Sequence, residues 1–220
     1  YEFTIVGVAG ASAEPVRCAL AVFSPTETEV IAGQSFAGFG PYTRGAMLTD
    51  SFSFTSSFDG TTYTTDTRIY YPTLNQFTGT IPLFVMHRGR GFNFDAYDEF
   101  LDRMASWGII CVSVHDYQSF YAPNSPAPNG TYDSTYYFMG MESGGAFQEA
   151  VITRMVTRSN TGGDTFFGKI DANNCFVGGH SRGGGATHGS HTPRSLVNNI
   201  RGAVYFMAFD LRSASETVTG

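Results

Sequence analysis

The chain has 220 residues, 42% of them hydrophobic and 15% charged, with a formal net charge of −6. That length can bury a full core and suggests one domain with room for an appendage. The acidic balance gives no support for nucleic-acid or anionic-membrane binding, and no apolar run approaches the ~18 residues that a membrane-spanning helix needs.

Charged residues fall well below the ~25% of an average domain. Gly, Ser, Thr, Tyr and Phe fill the gap, a composition common in secreted proteins rich in strands and loops. The chain starts at Tyr1 without a Met or a signal-like segment, so a processed or partial product is expected. Residues 1–40 read as an N-terminal extension of unknown role. Its apolar segments, Phe3–Ala9 and Cys18–Phe23, suit strands but carry no recognisable chemistry.

From Thr49 the pattern turns to β-rich alternation. Ser51–Thr55 and Thr62–Tyr71 are strand candidates joined by a hairpin turn at Asp59-Gly60. Ile81–Met86 is a continuous apolar run, as expected of a strand buried on both faces. It leads into His87-Arg88-Gly89-Arg90-Gly91. Phe94, Tyr97, Leu101 and Met104 then recur at helical spacing across Asp95–Trp107, and Gly108 stops that helix. Ile109–Val114 is the next buried strand. Tyr117–Tyr136, rich in Pro, Asn, Ser and Tyr, reads as a long surface loop, with Asn129-Gly130-Thr131 as a glycosylation acceptor in a eukaryotic secretory host. Helix returns around Gly144–Val156, a short strand follows at Cys175–Val177, Pro193 breaks the next helix, and Ile200–Met207 is one more strand.

Strands alternating with helices at this spacing predict an α/β fold with a doubly wound, mostly parallel sheet. Ligands in such sheets bind at the carboxyl ends of the strands, so the loops after Met86, Val114, Val177 and Met207 should open on one side. In this arrangement a third strand separates Cys111 from Cys175. They would lie about 9–10 Å apart, too far for a disulfide, and serve as buried small hydrophobes. Cys18 is then left without a partner in the chain.

The chemistry concentrates in Gly179-His180-Ser181-Arg182-Gly183, between an apolar strand and a helix. Gly-x-Ser-x-Gly in that setting is the nucleophile-elbow pattern, in which the turn lifts a serine hydroxyl above the sheet edge. The helix N-terminus that follows favours developing negative charge. Backbone N–H groups can form the oxyanion hole, one from Arg182 and one from Arg90 in the glycine-flanked loop after the central strand. His180 adjoins the serine and can line the cleft, but its position is wrong for proton transfer. His188 and His191 ride the helix away from the active face. His87 and His115 end central strands and border the site, yet neither occupies the downstream place of a base in Ser–Asp/Glu–His order. Asp210 ends the last strand and reads as a solvated carboxylate. No complete triad can be written from these residues, and no metal or cofactor is expected.

Several short motifs fall in a recognisable order. Pro41-Tyr42-Thr43-Arg44-Gly45, Arg68–Thr73, Met104-Ala105-Ser106-Trp107-Gly108, Gly168-Lys169-Ile170-Asp171 and Gly179–Gly184 together resemble the bacterial cutinase-like polyester hydrolases. That group belongs to the α/β-hydrolases and includes poly(ethylene terephthalate) hydrolases, with platelet-activating-factor acetylhydrolases as more distant relatives. The resemblance covers about residues 41–212. It implies an α/β-hydrolase domain over 41–220, cut after its sixth strand, with the catalytic Asp and His on strands absent from this chain. It also implies Ser181 as nucleophile, the amides of Arg90 and Arg182 as oxyanion hole, and Phe209 at the position of an aromatic that packs on the acyl part of the substrate. Arg90 and Arg182 depart from the group, which carries Tyr or Phe and then Met. Two guanidiniums there suit a carboxylate- or phosphate-bearing ester, or pairing with acids such as Asp95 or Glu142.

The expected activity is that of a secreted serine ester hydrolase acting on small-molecule or polymeric esters, with a second chain one source of the remaining triad. A hydrolase-derived binding or structural subunit without catalysis is the rival reading, and a peptidase or acyltransferase on the same fold is a third.

Overall fold

The structure is a computed structural model that describes residues 38–56, 60–89, 92, 94–115, 134–191 and 200–206, with the backbone alone for 134–144, 189 and 191. The two apolar segments of the N-terminal extension, Cys18, Asn129 and the region after Phe206 lie outside the described residues.

Among the described residues, six strands form one sheet: β1 (Leu48–Thr55), β2 (Thr62–Tyr70), β3 (Ile81–His87), β4 (Ile110–His115), β5 (Ile170–His180) and β6 (Ile200–Phe206). Three α-helices accompany them: α1 (Asp98–Ala105), α2 (Ser134–Ser159) and α3 (Arg182–His191). The sheet order is β1-β2-β4-β3-β5-β6. β4, β3, β5 and β6 run parallel, while β2 is antiparallel to both β1 and β4. The expected doubly wound, mostly parallel α/β sheet is therefore present.

Sequence alternation accounts for each layer. In β3, Leu83 and Val85 join the core under α2, where Phe147, Val151, Ile152 and Met155 pack. Their neighbours Phe84 and Met86 point to the other face and meet Tyr97 and Leu101 beside α1. A strand buried on both sides needs such an unbroken apolar run. β1 alternates instead, with Phe52 and Phe54 partly buried and Ser53 and Thr55 paired through their hydroxyls to Thr64 and Thr62 across the hairpin. Gly60, at φ +70°, supplies the left-handed turn residue before β2.

The element ends differ from the sequence expectation in physically readable ways. The α2 backbone is helical from Ser134, ten residues before Gly144, so Tyr136 belongs to a helix and not to a loop. Gly140, Gly144 and Gly145 depress local helix propensity there, which is why the sequence pattern reads as helix only from Gly144. The helix expected from Asp95 begins as a 3₁₀ turn at Phe94–Ala96 and becomes α-helical only at Asp98. β5 extends from Ile170 to His180, well beyond Cys175–Val177.

Cys111 and Cys175 are free and buried on β4 and β5, with β3 between them, as anticipated. The motifs at 41–45, 68–73 and 104–108 come together at the sheet end opposite β5's carboxyl terminus. The Tyr42 and Gly40 amides donate to Ser106, the Gly45 amide to the Tyr71 carbonyl, and the Thr73 amide to the Thr43 carbonyl. An Arg44–Asp102 ion pair closes the group. These motifs build scaffold.

Candidate active site

Because β3, β4, β5 and β6 are parallel, His87, His115, His180 and Phe206 end their strands along one edge. Ser181 follows β5 directly and precedes α3. Its φ is +53°, the only positive value at a non-glycine among the described residues. A β-carbon in the left-handed region crowds the following carbonyl, so the conformation persists only where its surroundings fix it.

Those surroundings are explicit. The Ser181 amide donates to the Phe206 carbonyl at 2.9 Å, and the Gly184 amide donates to the Ser181 carbonyl at 2.9 Å. A Cβ on Gly179 would overlap the backbone carbonyl of Gly183, and one on Gly183 would overlap the carbonyls of His87 and Arg88. Both glycines of the pattern are thus required by backbone meeting backbone, which no rotamer change can relieve. With its own amide bonded to β6, Ser181 leaves Arg182 as the first amide of α3. The first amides of an α-helix have no intrahelical acceptor, and the helix dipole there favours negative charge.

The loop after β3 closes onto the elbow. Arg88 Nη1 donates to the Phe92 carbonyl at 2.6 Å, and the Phe92 ring meets His180 edge-on at 5.2 Å. The Gly89 amide donates to Tyr97 Oη at 2.8 Å, and Tyr97 Oη lies 3.0 Å from His180 Nδ1. A Cβ on Gly89 would sit 2.6 Å from His180 Nδ1, so a larger residue there would have to displace the His180 ring. Burial pushes the Tyr97 hydroxyl above its ordinary pKa, against the opposing effects of the Gly89 amide and Arg88.

Below the elbow, Gln148 of α2 is fully buried and works as a hub. Its Nε2 donates to the Gly178 carbonyl at 2.9 Å, and the Thr187 hydroxyl (3.1 Å) and Val85 carbonyl (3.3 Å) are also within reach. Ser190 donates to its Oε1 at 2.7 Å. One amide therefore ties β3, β5 and α3 together beneath the serine.

His180 is half-buried at the end of β5, beside Ser181 and in contact with Phe92 and Tyr97. Arg182 is 7% exposed, so its side chain is packed inside the protein and not displayed at the surface. Asp95, an acid expected to pair with Arg90 or Arg182, pairs with Arg68 at 2.6 Å. His87 and His115 are buried at their strand ends, His115 against the Phe94 ring. His188 is exposed on α3. Arg90, Phe209 and Asp210, and the side chains of Glu142 and His191, lie outside the described residues.

Sequence reasoning missed Tyr97, Phe92 and Gln148 as parts of this site. Tyr97 was assigned to an apolar helix face. Its place just before α1, at the edge where the strands end, was the available signal.

The fold and site together define an α/β protein with a serine on a strand–turn–helix elbow, at the carboxyl edge of parallel strands. No family model matches the chain, and no curated protein matches it. Among solved structures it is distantly similar to two esterases. The esterase Est22 matches at 18% identity and a TM-score of 0.40, over 64% of this chain and 37% of that one. A brefeldin A esterase, described as a bacterial homologue of human hormone-sensitive lipase, matches at 18% identity and a TM-score of 0.46, over 74% of this chain and 40% of that one. The chain thus spans about two fifths of the length of either esterase.

Proposed function

We propose that this chain carries the nucleophile of a serine ester hydrolase of the cutinase, lipase and polyesterase kind. The observation that carries the reading is the left-handed Ser181 held between Gly179 and Gly183 at the start of α3. That conformation has a steric cost, and nothing in a plain tight turn requires it at a serine. In the reaction, Ser181 Oγ attacks the ester carbonyl carbon while a base takes its proton. The amides of Arg182 and Arg90 hold the resulting oxyanion. Collapse expels the alcohol, which receives the proton, and water then releases the acid from the acyl-enzyme. His180 and Phe209 line the substrate. The base and its orienting acid belong to residues beyond those described or to a second chain, and the protein works outside the cell.

One observation favours a second reading, a hydrolase-derived binding or structural subunit: Nδ1 of His180, the histidine adjoining Ser181, is engaged by the Tyr97 hydroxyl at 3.0 Å. A fluorophosphonate probe on the intact protein separates the two. Ester hydrolysis predicts a covalent adduct on the Ser181 peptide that Ser181→Ala abolishes. Labelling that survives the substitution overturns the assignment, and a wild-type protein that neither takes the label nor cleaves p-nitrophenyl esters favours the binding subunit.

A further inference from the structure

We infer that Tyr97 is a positioning residue for the proposed reaction, its hydroxyl setting the distance between the loop after β3 and the Ser181 elbow. The inference rests on the ester-hydrolase reading for its catalytic consequence, but the bridge itself is a matter of geometry. The ladder between β3 and β5 ends at the pair His87 and Gly179. Beyond that pair the two chains diverge, one into the loop at Gly89 and the other into the elbow. The Tyr97 hydroxyl bridges them there, 2.8 Å from the Gly89 nitrogen and 3.0 Å from His180 Nδ1.

A backbone N–H can only donate, so Tyr97 Oη accepts from Gly89, and in its hydrogen bond with His180 Nδ1 either group can be the donor. The ring that carries the hydroxyl cannot drift. Tyr97 is 8% exposed and belongs to the core cluster containing Phe84, Met86, Leu101 and Phe176. Phe92, anchored through its carbonyl by Arg88, closes over the other side of His180.

The consequence concerns the oxyanion hole. The Gly89 amide donates to Tyr97, and on the ester-hydrolase reading Gly89 is followed in sequence by the proposed oxyanion donor, the Arg90 amide. Its separation from Ser181 depends on how firmly Gly89 is held against the elbow. A hole displaced by a fraction of an ångström still binds an ester but stabilises its tetrahedral intermediate poorly.

The test is Tyr97→Phe in the full chain, which removes one oxygen and keeps the ring. With p-nitrophenyl butyrate, kcat should fall by about 10- to 100-fold while KM changes by less than about twofold, the pattern of lost transition-state positioning. Fluorophosphonate labelling of Ser181 should slow by a similar factor. Histidine ¹⁵N spectra give a readout independent of activity: wild-type His180 Nδ1 should show a hydrogen-bonded shift that Tyr97→Phe removes. A labelled wild type with an equally reactive Tyr97→Phe overturns the positioning role and leaves the ester-hydrolase reading standing. An unreactive wild type overturns that reading, and the His180 spectra then decide the bridge alone. If the variant fails to fold, a wild-type His180 Nδ1 whose ¹⁵N shift shows no hydrogen bond overturns the bridge by itself.

Discussion

Replacing Ser181 with glycine should leave the protein more stable than replacing it with alanine, the reverse of the order found at most positions. Both changes delete the hydroxyl, so the comparison isolates the backbone. At φ +53°, a residue with a β-carbon carries about 1–2 kcal/mol of strain that glycine does not. Glycine has the looser unfolded chain, which costs it about 0.5–1 kcal/mol relative to alanine. The difference favours Ser181→Gly by roughly 0.5–1 kcal/mol. Urea unfolding of both variants, with equal m-values, measures this directly. Thermal midpoints should separate by about 1–4 °C, at the ~2–4 °C per kcal/mol of a domain this size. An alanine variant as stable as the glycine variant, or more so, would mean that Ser181 is not left-handed in solution. The elbow assignment would then fall with it.

Three further outcomes follow from other parts of the molecule. Gln148→Ala strips the Gly178 carbonyl, Thr187 and Ser190 of a buried partner and should cost about 2–4 kcal/mol in chemical denaturation. Burial alone would raise the Asp164 carboxyl, but its bonds to Arg158 and to the Phe166 amide outweigh burial and hold its pKa below the ordinary value. A depressed folded pKa gives stability that is complete above the unfolded value of about 3.9 and fades as pH falls through the folded value. Asp164→Asn should therefore lower stability at neutral pH and flatten the acid decline below about pH 5, read from melting temperatures across a pH series. Burial raises the thiol pKa of both Cys111 and Cys175, the latter to about 11 with help from Asp171. Iodoacetamide at pH 8 should spare both in the native protein and modify both in urea, as counted by peptide mass spectrometry.

The sheet was legible in the sequence because β3 and β4 each bury two faces and so read as unbroken apolar runs. The elbow was legible for a different reason. Its glycines answer to backbone overlap, and such positions admit only one residue type. What stayed hidden was the support around them. Tyr97 has the spacing of a helix-face apolar residue, and nothing local marks its hydroxyl as the acceptor of the Gly89 amide eight residues back. Gln148 is a polar residue in a helix, indistinguishable by spacing from an exposed one until β3, β5 and α3 close around it. The length of α2 was hidden by its glycines, which depress local helix propensity there. The motifs at 41–45, 68–73 and 104–108 carried part of the resemblance, yet they lie at the end of the sheet remote from the serine.

On the ester-hydrolase reading, the contact between Gly183 and the carbonyls of His87 and Arg88 makes the serine's reactivity a report on the whole sheet. Gly183 and His87 are separated by two strands, two helices and a long connection. The left-handed turn therefore cannot be locked until β3 has found β5 and α3 has settled on both. A chain that has formed its helices but not this junction has a serine no more reactive than one in a loop. Covalent capture of Ser181 during refolding would then time the last long-range docking event, and a variant loosened anywhere along β3 or β5 would lose nucleophilicity before it lost secondary structure.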